Sequence, residues 1–237
     1  TEIGYMLKCY YEFHTNPHYE ETIQFCMGFD GYLRCMHNLS QLLENGIIHK
    51  TSFVTTMTNK EERDETEGEE KQTDKIAIKQ QYYPLLHKTD KPSCVKNDVD
   101  LGTYGIITGP NASGKTTFLK ATAINVILSQ QIGCGFYESC ILQPYTHIHS
   151  YLNIPDTSGR DSLFQAESRR CKQILETIHS SRAKHHRHFC IFDELYSGTN
   201  PHEATKSAHA FLEYLRQYSH VDLFLTTHYV SICDKLE

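Results

Sequence analysis

Between Ile23 and Leu43 apolar residues recur at helical spacing, with Phe25, Phe29, Leu33, Met36, Leu39 and Leu43 near one stripe. The spacing predicts a helix, and Asn45-Gly46 supplies its stop signal. From about Lys75 onward the pattern alternates between short apolar runs and helix-spaced ones. Tyr104–Thr108 is a strand candidate ending at Gly109. Thr116–Gln131 carries Phe118, Leu119, Ala123, Ile124, Ile127 and Leu128 at helical intervals, and Gly133 stops it. Arg169–Ser181 repeats the helical pattern through Cys171, Ile174, Leu175 and Ile178. His188–Asp193 and Val221–Thr226 read as further buried strands. Between them, Asn200-Pro201-His202-Glu203 has the form of an N-cap, a first-turn Pro and a capping-box Glu, opening a helix to about Gln217. Strands alternating with helices predict an α/β domain, a parallel sheet with helices on its faces.

Residues 58–75 break this pattern. They are almost free of apolar side chains and densely acidic, so they are expected as a flexible surface insertion outside any core. The expected organisation is therefore 1–57 as the end of a helical region, 58–75 as an acidic insertion, and 76–237 as the α/β domain.

Composition adds exclusions. With 39% hydrophobic and 22% charged residues the chain reads as an ordinary globular protein, and no apolar run reaches the ~18 residues of a membrane span. Residue 1 is Thr and no charged-then-apolar leader follows, which predicts a fragment or cropped domain without a signal peptide. Nine Cys are scattered, odd in number and without zinc-type spacing, so they are expected as reduced thiols of a soluble intracellular protein. Fifteen His are scattered too. The densest basic group, Arg182, Lys184, His185, His186, Arg187 and His188, is expected as a solvated helix-to-strand connection, since no Cys or carboxylate completes a ligand set. A net charge of −6 lacks the basic surplus that a domain gripping duplex DNA alone needs. Any DNA is expected to be held mainly by other parts of the protein.

The strongest chemical signal is Gly109-Pro110-Asn111-Ala112-Ser113-Gly114-Lys115-Thr116, a full Walker A pattern between a strand and a helix. Its glycines let backbone amides face phosphate oxygens, and the helix that follows adds its positive end. Lys115 is expected to reach the β- and γ-phosphates of ATP, and the Thr116 hydroxyl to ligate Mg²⁺. The nucleotide-contact candidates are Gly109, Pro110, Asn111, Ala112, Ser113, Gly114, Lys115, Thr116 and the adjoining Thr117. A second signal is the apolar strand Phe189–Phe192 ending in Asp193-Glu194. Asp193 is expected to hold Mg²⁺, largely through water, and Glu194 to orient or deprotonate the attacking water. The third signal is Thr226-Thr227-His228 at the next strand end, where His228 can contact the γ-phosphate.

Taken together these motifs resemble the MutS family of DNA mismatch-repair proteins. The Gly-Pro-Asn opening of the loop, Asp193-Glu194-Leu-Tyr-Ser-Gly198-Thr199 and Leu225-Thr-Thr-His228-Tyr229 are similar to the family's Walker A, Walker B and Thr-His-Tyr segments. Ser158-Gly-Arg-Asp-Ser162-Leu-Phe164-Gln-Ala-Glu167 resembles its signature segment, and Val95-Lys-Asn97-Asp98 the stretch before the first ATPase strand. The resemblance covers residues 80–237 well and 1–50 loosely. It implies a P-loop NTPase of the ABC type and an ATPase active as a dimer. A second MutS-like subunit, identical or not, would complete each site, with Ser162 touching the partner's γ-phosphate. Mismatched duplex DNA would be bound through domains outside this chain.

Several positions depart from the family pattern. One extra residue between Arg160 and Phe164 leaves Asp161 and Ser162 competing for the signature position. Cys94 stands where an adenine-stacking aromatic is expected, and Tyr83-Pro84 where His-Pro is frequent. The chain ends nine residues after His228, ahead of the family's helix-turn-helix dimer element. Another ABC-type ATPase, a transporter subunit or chromosome-organising protein, is the runner-up, but its Leu-Ser-Gly-Gly-Gln segment is missing. A nucleotide-gated binding module with little turnover is the third reading.

Overall fold

The computed structural model describes residues 2–54, 75–87, 94–152, 162–181 and 186–229. It divides into two compact units, residues 1–48 and 49–237.

The first unit is a pair of helices, α1 (Glu2–Thr15) and α2 (Pro17–Glu44). Asn16 caps α2 by accepting from the His18 amide at 3.1 Å, Pro17 fills the first turn, and the helix stops at Asn45 and the left-handed Gly46. The apolar stripe is present, but no residue of either helix is buried, and Phe25 is 73% exposed.

The second unit contains two sheets. In chain order its elements are β1 (His49–Phe53), β2 (Ala77–Gln81), α3 (Pro84–His87), β3 (Asn97–Asp100), β4 (Tyr104–Thr108), α4 (Lys115–Ile132), β5 (Cys134–Gly135), β6 (Ser139–Leu142), β7 (His147–Tyr151), α5 (Leu163–Ser180), β8 (His188–Asp193), α6 (Pro201–Leu215) and β9 (Val221–Thr227). A four-stranded sheet runs β4-β9-β8-β7, parallel throughout, and a five-stranded mixed sheet runs β3-β2-β6-β1-β5.

Alternation along β8 explains how helices cover the parallel sheet. Phe189 and Ile191 point to one face and join Leu119, Ala123 and Val126 of α4. Cys190 and Phe192 point to the other face and join Ile174 and Ile178 of α5 with Phe211, Leu212 and Leu215 of α6. Near-continuous burial of β8 and β9 is what a sheet covered on both sides requires.

Several boundaries differ from the sequence reading. Strand β1, expected within the helical region ending at 57, pairs with β6 through Thr51↔Cys140 and belongs to the second unit. Helix α5 begins six residues earlier than Arg169, because Ser162 and Gln165 form a reciprocal capping box. Helix α6 ends at Leu215 and β9 reaches Thr227. The acidic stretch, apart from Lys75, lies outside the described residues. Among the described residues no helix is long and apolar enough to cross a membrane, and eight cysteines are free thiols.

Candidate functional site

The parallel register places three strand ends side by side. Thr108 of β4 lies opposite Thr227 of β9, and Thr226 lies opposite Asp193 of β8. The loop after β4, the acidic pair after β8 and His228 after β9 therefore share one edge of the sheet.

The 109–114 loop turns on left-handed residues. Gly114 at φ 94° opens α4 without any side-chain cap, leaving the first amides of an 18-residue helix for another partner. Such a helix end suits an anion. Ala112 also has positive φ, 61°. Lys115, only 8% exposed, folds back so that Nζ donates to the carbonyls of Gly109 at 2.9 Å and Pro110 at 3.0 Å. Its ammonium thus sits within the curl of the loop.

At the other side of the helix start, the Thr116 hydroxyl lies 3.0 Å from both oxygens of Asp193. Thr226 Oγ1 donates to Asp193 Oδ1 at 2.5 Å. Two hydroxyls and one carboxylate, all hard oxygen donors, meet here as a small divalent cation of the Mg²⁺ type prefers. Glu194 follows with φ 53°, its amide bonded to Thr226 O at 3.1 Å. Its carboxylate Oε1 lies 2.6 Å from His228 Nε2, and both side chains are more than a third exposed. Carboxylate and imidazole so placed can share a proton or orient a water molecule between solvent and the loop.

A cleft of about 710 Å³ flanks the loop, lined on its far side by Tyr82, Tyr83, Leu86, Cys94 and Val95. Thr117 and Phe118 line it from α4. Tyr82 and Tyr83 thus give the cleft aromatic residues on the same side as Cys94. The sequence reading missed this because it compared single positions. The pairing Gln81↔Asn97 between β2 and β3 is what brings the Tyr82 and Cys94 segments together.

Of the remaining candidates, Asn111 and Ala112 lie in the loop, and Pro110 and Ser113 line the cleft. Ser162 is the N-cap of α5, accepting from the Gln165 amide at 3.3 Å. Residues 158–161, including Asp161, lie outside the described residues. No nucleotide contact of Ser162 follows from this geometry.

The opposite edge of the same sheet corrects the histidine expectation. Residues 182–185 lie outside the described residues, but His188 is fully buried at the start of β8 and Arg187 is held by Asp222 at 2.5 Å. His147, His149 and His188 form nearly parallel rings, with His149 Nε2 2.9 Å from His188 Nδ1, and His186 and His220 pack around them. Burial pushes the His149 imidazole down to about 4 and His188 to about 3, so both are neutral at pH 7. Among the described residues no group of three or more His, Cys, Asp or Glu is arranged to hold a metal ion.

A family model described as MutS domain V matches residues 105–237. The chain is 36% identical over 169 residues to MutS protein homolog 4 of Homo sapiens, covering 68% of this chain and 17% of that protein. It is 29% identical over 163 residues to the DNA mismatch repair protein MutS of Caldanaerobacter subterraneus subsp. tengcongensis, covering 66% of this chain and 18% of the relative. A similar match to the DNA mismatch repair protein MutS of Leuconostoc mesenteroides subsp. mesenteroides is 31% identical over 172 residues, 68% of this chain and 19% of the relative. The chain therefore spans under a fifth of the length of the curated relatives it matches.

Proposed function

Because the chain belongs to the MutS family, we propose that its second unit binds ATP with Mg²⁺ and hydrolyses it, as the nucleotide switch of a mismatch-repair protein. The observation that carries this reading is the meeting of Thr116 with Asp193 at 3.0 Å, beside the Lys115 loop and the Glu194–His228 pair. A strand-end carboxylate far from the loop would have ruled the reading out.

Each group then has a task. The amides of 109–114 and the start of α4 receive the phosphates, and Lys115 exchanges its two loop carbonyls for β- and γ-phosphate oxygens. Thr116 and Asp193 would hold Mg²⁺, which when bound neutralises charge on those oxygens. Glu194 takes a proton from water as the water oxygen bonds to the γ-phosphorus. The bond from that phosphorus to the bridging oxygen breaks, and ADP leaves with the electron pair. His228, already against Glu194, would contact the γ-phosphate and orient that carboxylate. Tyr82 and Tyr83 offer the base an apolar wall. Ser162, at the head of α5, serves the site of a second MutS-like subunit, so turnover depends on dimerisation. Mismatched duplex DNA is held by domains beyond this chain, in keeping with its net charge of −6.

The test uses the full-length protein with its partner subunit. ATP hydrolysis should be stimulated by mismatched duplex, and Glu194→Gln should lower it about 100-fold or more while ATP still binds. Turnover indifferent to mismatched DNA, or unchanged in the variant, would refute the switch or the role of Glu194 respectively.

A further inference from the structure

Helix α5 does more than carry Ser162 at its head. One turn further along, Glu167 is 2% exposed, and its carboxylate faces the segment just after Glu194. Oε1 accepts from the Ser197 amide at 3.0 Å and from Ser197 Oγ at 3.1 Å, and Oε2 accepts from the Gly198 amide at 3.2 Å. Three donors on one carboxylate are what a buried acid needs to offset its lost hydration. A second contact binds the same two elements. Gly198 lies so close to Leu163 that an added Cβ would meet Leu163 Cγ at 2.7 Å and Cβ at 2.8 Å.

The segment gripped in this way is strained. Glu194 and Tyr196 are both left-handed, at φ 53° and 59°, a conformation that L-residues rarely adopt and that persists only where surroundings fix it. Its near end is fixed by the Glu194 amide on Thr226, its middle by the Tyr196 amide on the Tyr151 hydroxyl at 3.3 Å. Its far end is fixed by Glu167.

We propose that Glu167 is a positioning residue for hydrolysis: through Ser197 and Gly198 it makes the orientation of the Glu194 carboxylate depend on where helix α5 lies. This rests on the ATPase reading above and deepens it. Any displacement of the α5 head, whatever causes it, is then delivered to the Glu194 turn through two contacts rather than through the sheet.

The test again uses the full-length protein. Glu167→Gln keeps the shape but presents an amide N–H₂ where one backbone amide needs an acceptor, and Ser197→Ala removes only the hydroxyl contact. Expected results are a fall in kcat of about tenfold or more for Glu167→Gln and a few-fold for Ser197→Ala, with ATP affinity held within about twofold. In a Glu194→Gln background, Glu167→Gln should cost nothing further, since there is no base left to aim. Wild-type kcat in both variants overturns the proposal. So does a matching loss of ATP affinity, or an additive loss in the Glu194→Gln background, either of which marks Glu167 as general scaffolding. Should Glu167→Gln not fold, Ser197→Ala with the same three readouts decides. Failure of the wild-type protein itself to hydrolyse ATP would instead strike at the ATPase reading.

Discussion

The two edges of the four-stranded sheet are made by the same strands and differ in what they leave open. At the carboxyl edge, Lys115 lines an open cleft, Thr116 meets Asp193, and Glu194 and His228 are each more than a third exposed. At the amino edge, His147, His149 and His188 stack on one another and Arg187 closes on Asp222, with side-chain exposures of 16% and 7%. Both edges are rich in titratable groups. The difference is exposure: the Glu194–His228 pair is open to solvent, whereas His149, His188 and Asp222 are buried. The proposed chemistry falls at the first edge, and the second is packed.

Substitutions sharpen this contrast because the two edges should answer to different measurements. The largest effect is expected from Arg187→Ala. It strands the Asp222 carboxylate, which burial already holds above the usual carboxylate range, and removes the guanidinium stacked 4.5 Å over Tyr145. A loss of about 3–5 kcal/mol in denaturant unfolding is expected, with nucleotide affinity of the folded fraction unchanged. Lys115→Ala should do the reverse. Equilibrium titration should show ATP binding weakened about 100-fold, as expected for lost charge-assisted bonds, with little change in stability. A large stability loss from Lys115→Ala, or weakened ATP binding from Arg187→Ala, would erase the distinction.

The smallest effect is a pH dependence. His149 and His188 titrate well below the ordinary imidazole value of 6.5 in the folded chain, so the unfolded chain binds more protons in between. Their stabilising contribution is whole above about pH 6.5 and is lost as pH falls toward about 4 and 3. Thermal melts of the wild type should therefore decline from pH 7.5 to pH 5. His188→Leu should flatten that decline. An unaltered slope in the variant would show that the acid sensitivity lies elsewhere.

Much of the parallel sheet was legible because its strands are short apolar runs ending in chemically distinctive residues. Tyr104–Thr108, His188–Asp193 and Val221–Thr227 are buried on both faces or end at the site, and their order fixes which groups meet. The mixed sheet was not legible. Its strands β1 (HKTSF), β2 (AIKQQ) and β3 (NDVD) are half polar, and β5 has two residues. Only distant pairings such as Ser52↔Ile141 define them, and no local spacing announces those. The same reason hid Tyr82 and Tyr83, which depend on that sheet for their place in the cleft. Histidines at 147, 188 and 220 are dozens of residues apart, yet each opens or precedes a strand of one sheet. Parallel strands beginning at a common level were the signal that would have gathered them.

The Thr226 hydroxyl owns a single hydrogen. That hydrogen is committed to Asp193, while the same oxygen receives the Glu194 amide at 3.3 Å. The neighbouring acids therefore compete for nothing at this atom; they are linked in series through it. Pulling Asp193 away strips the oxygen of its outlet and weakens it as an acceptor for the next residue's backbone. A valine of equal bulk would preserve the packing and cut that electrical link.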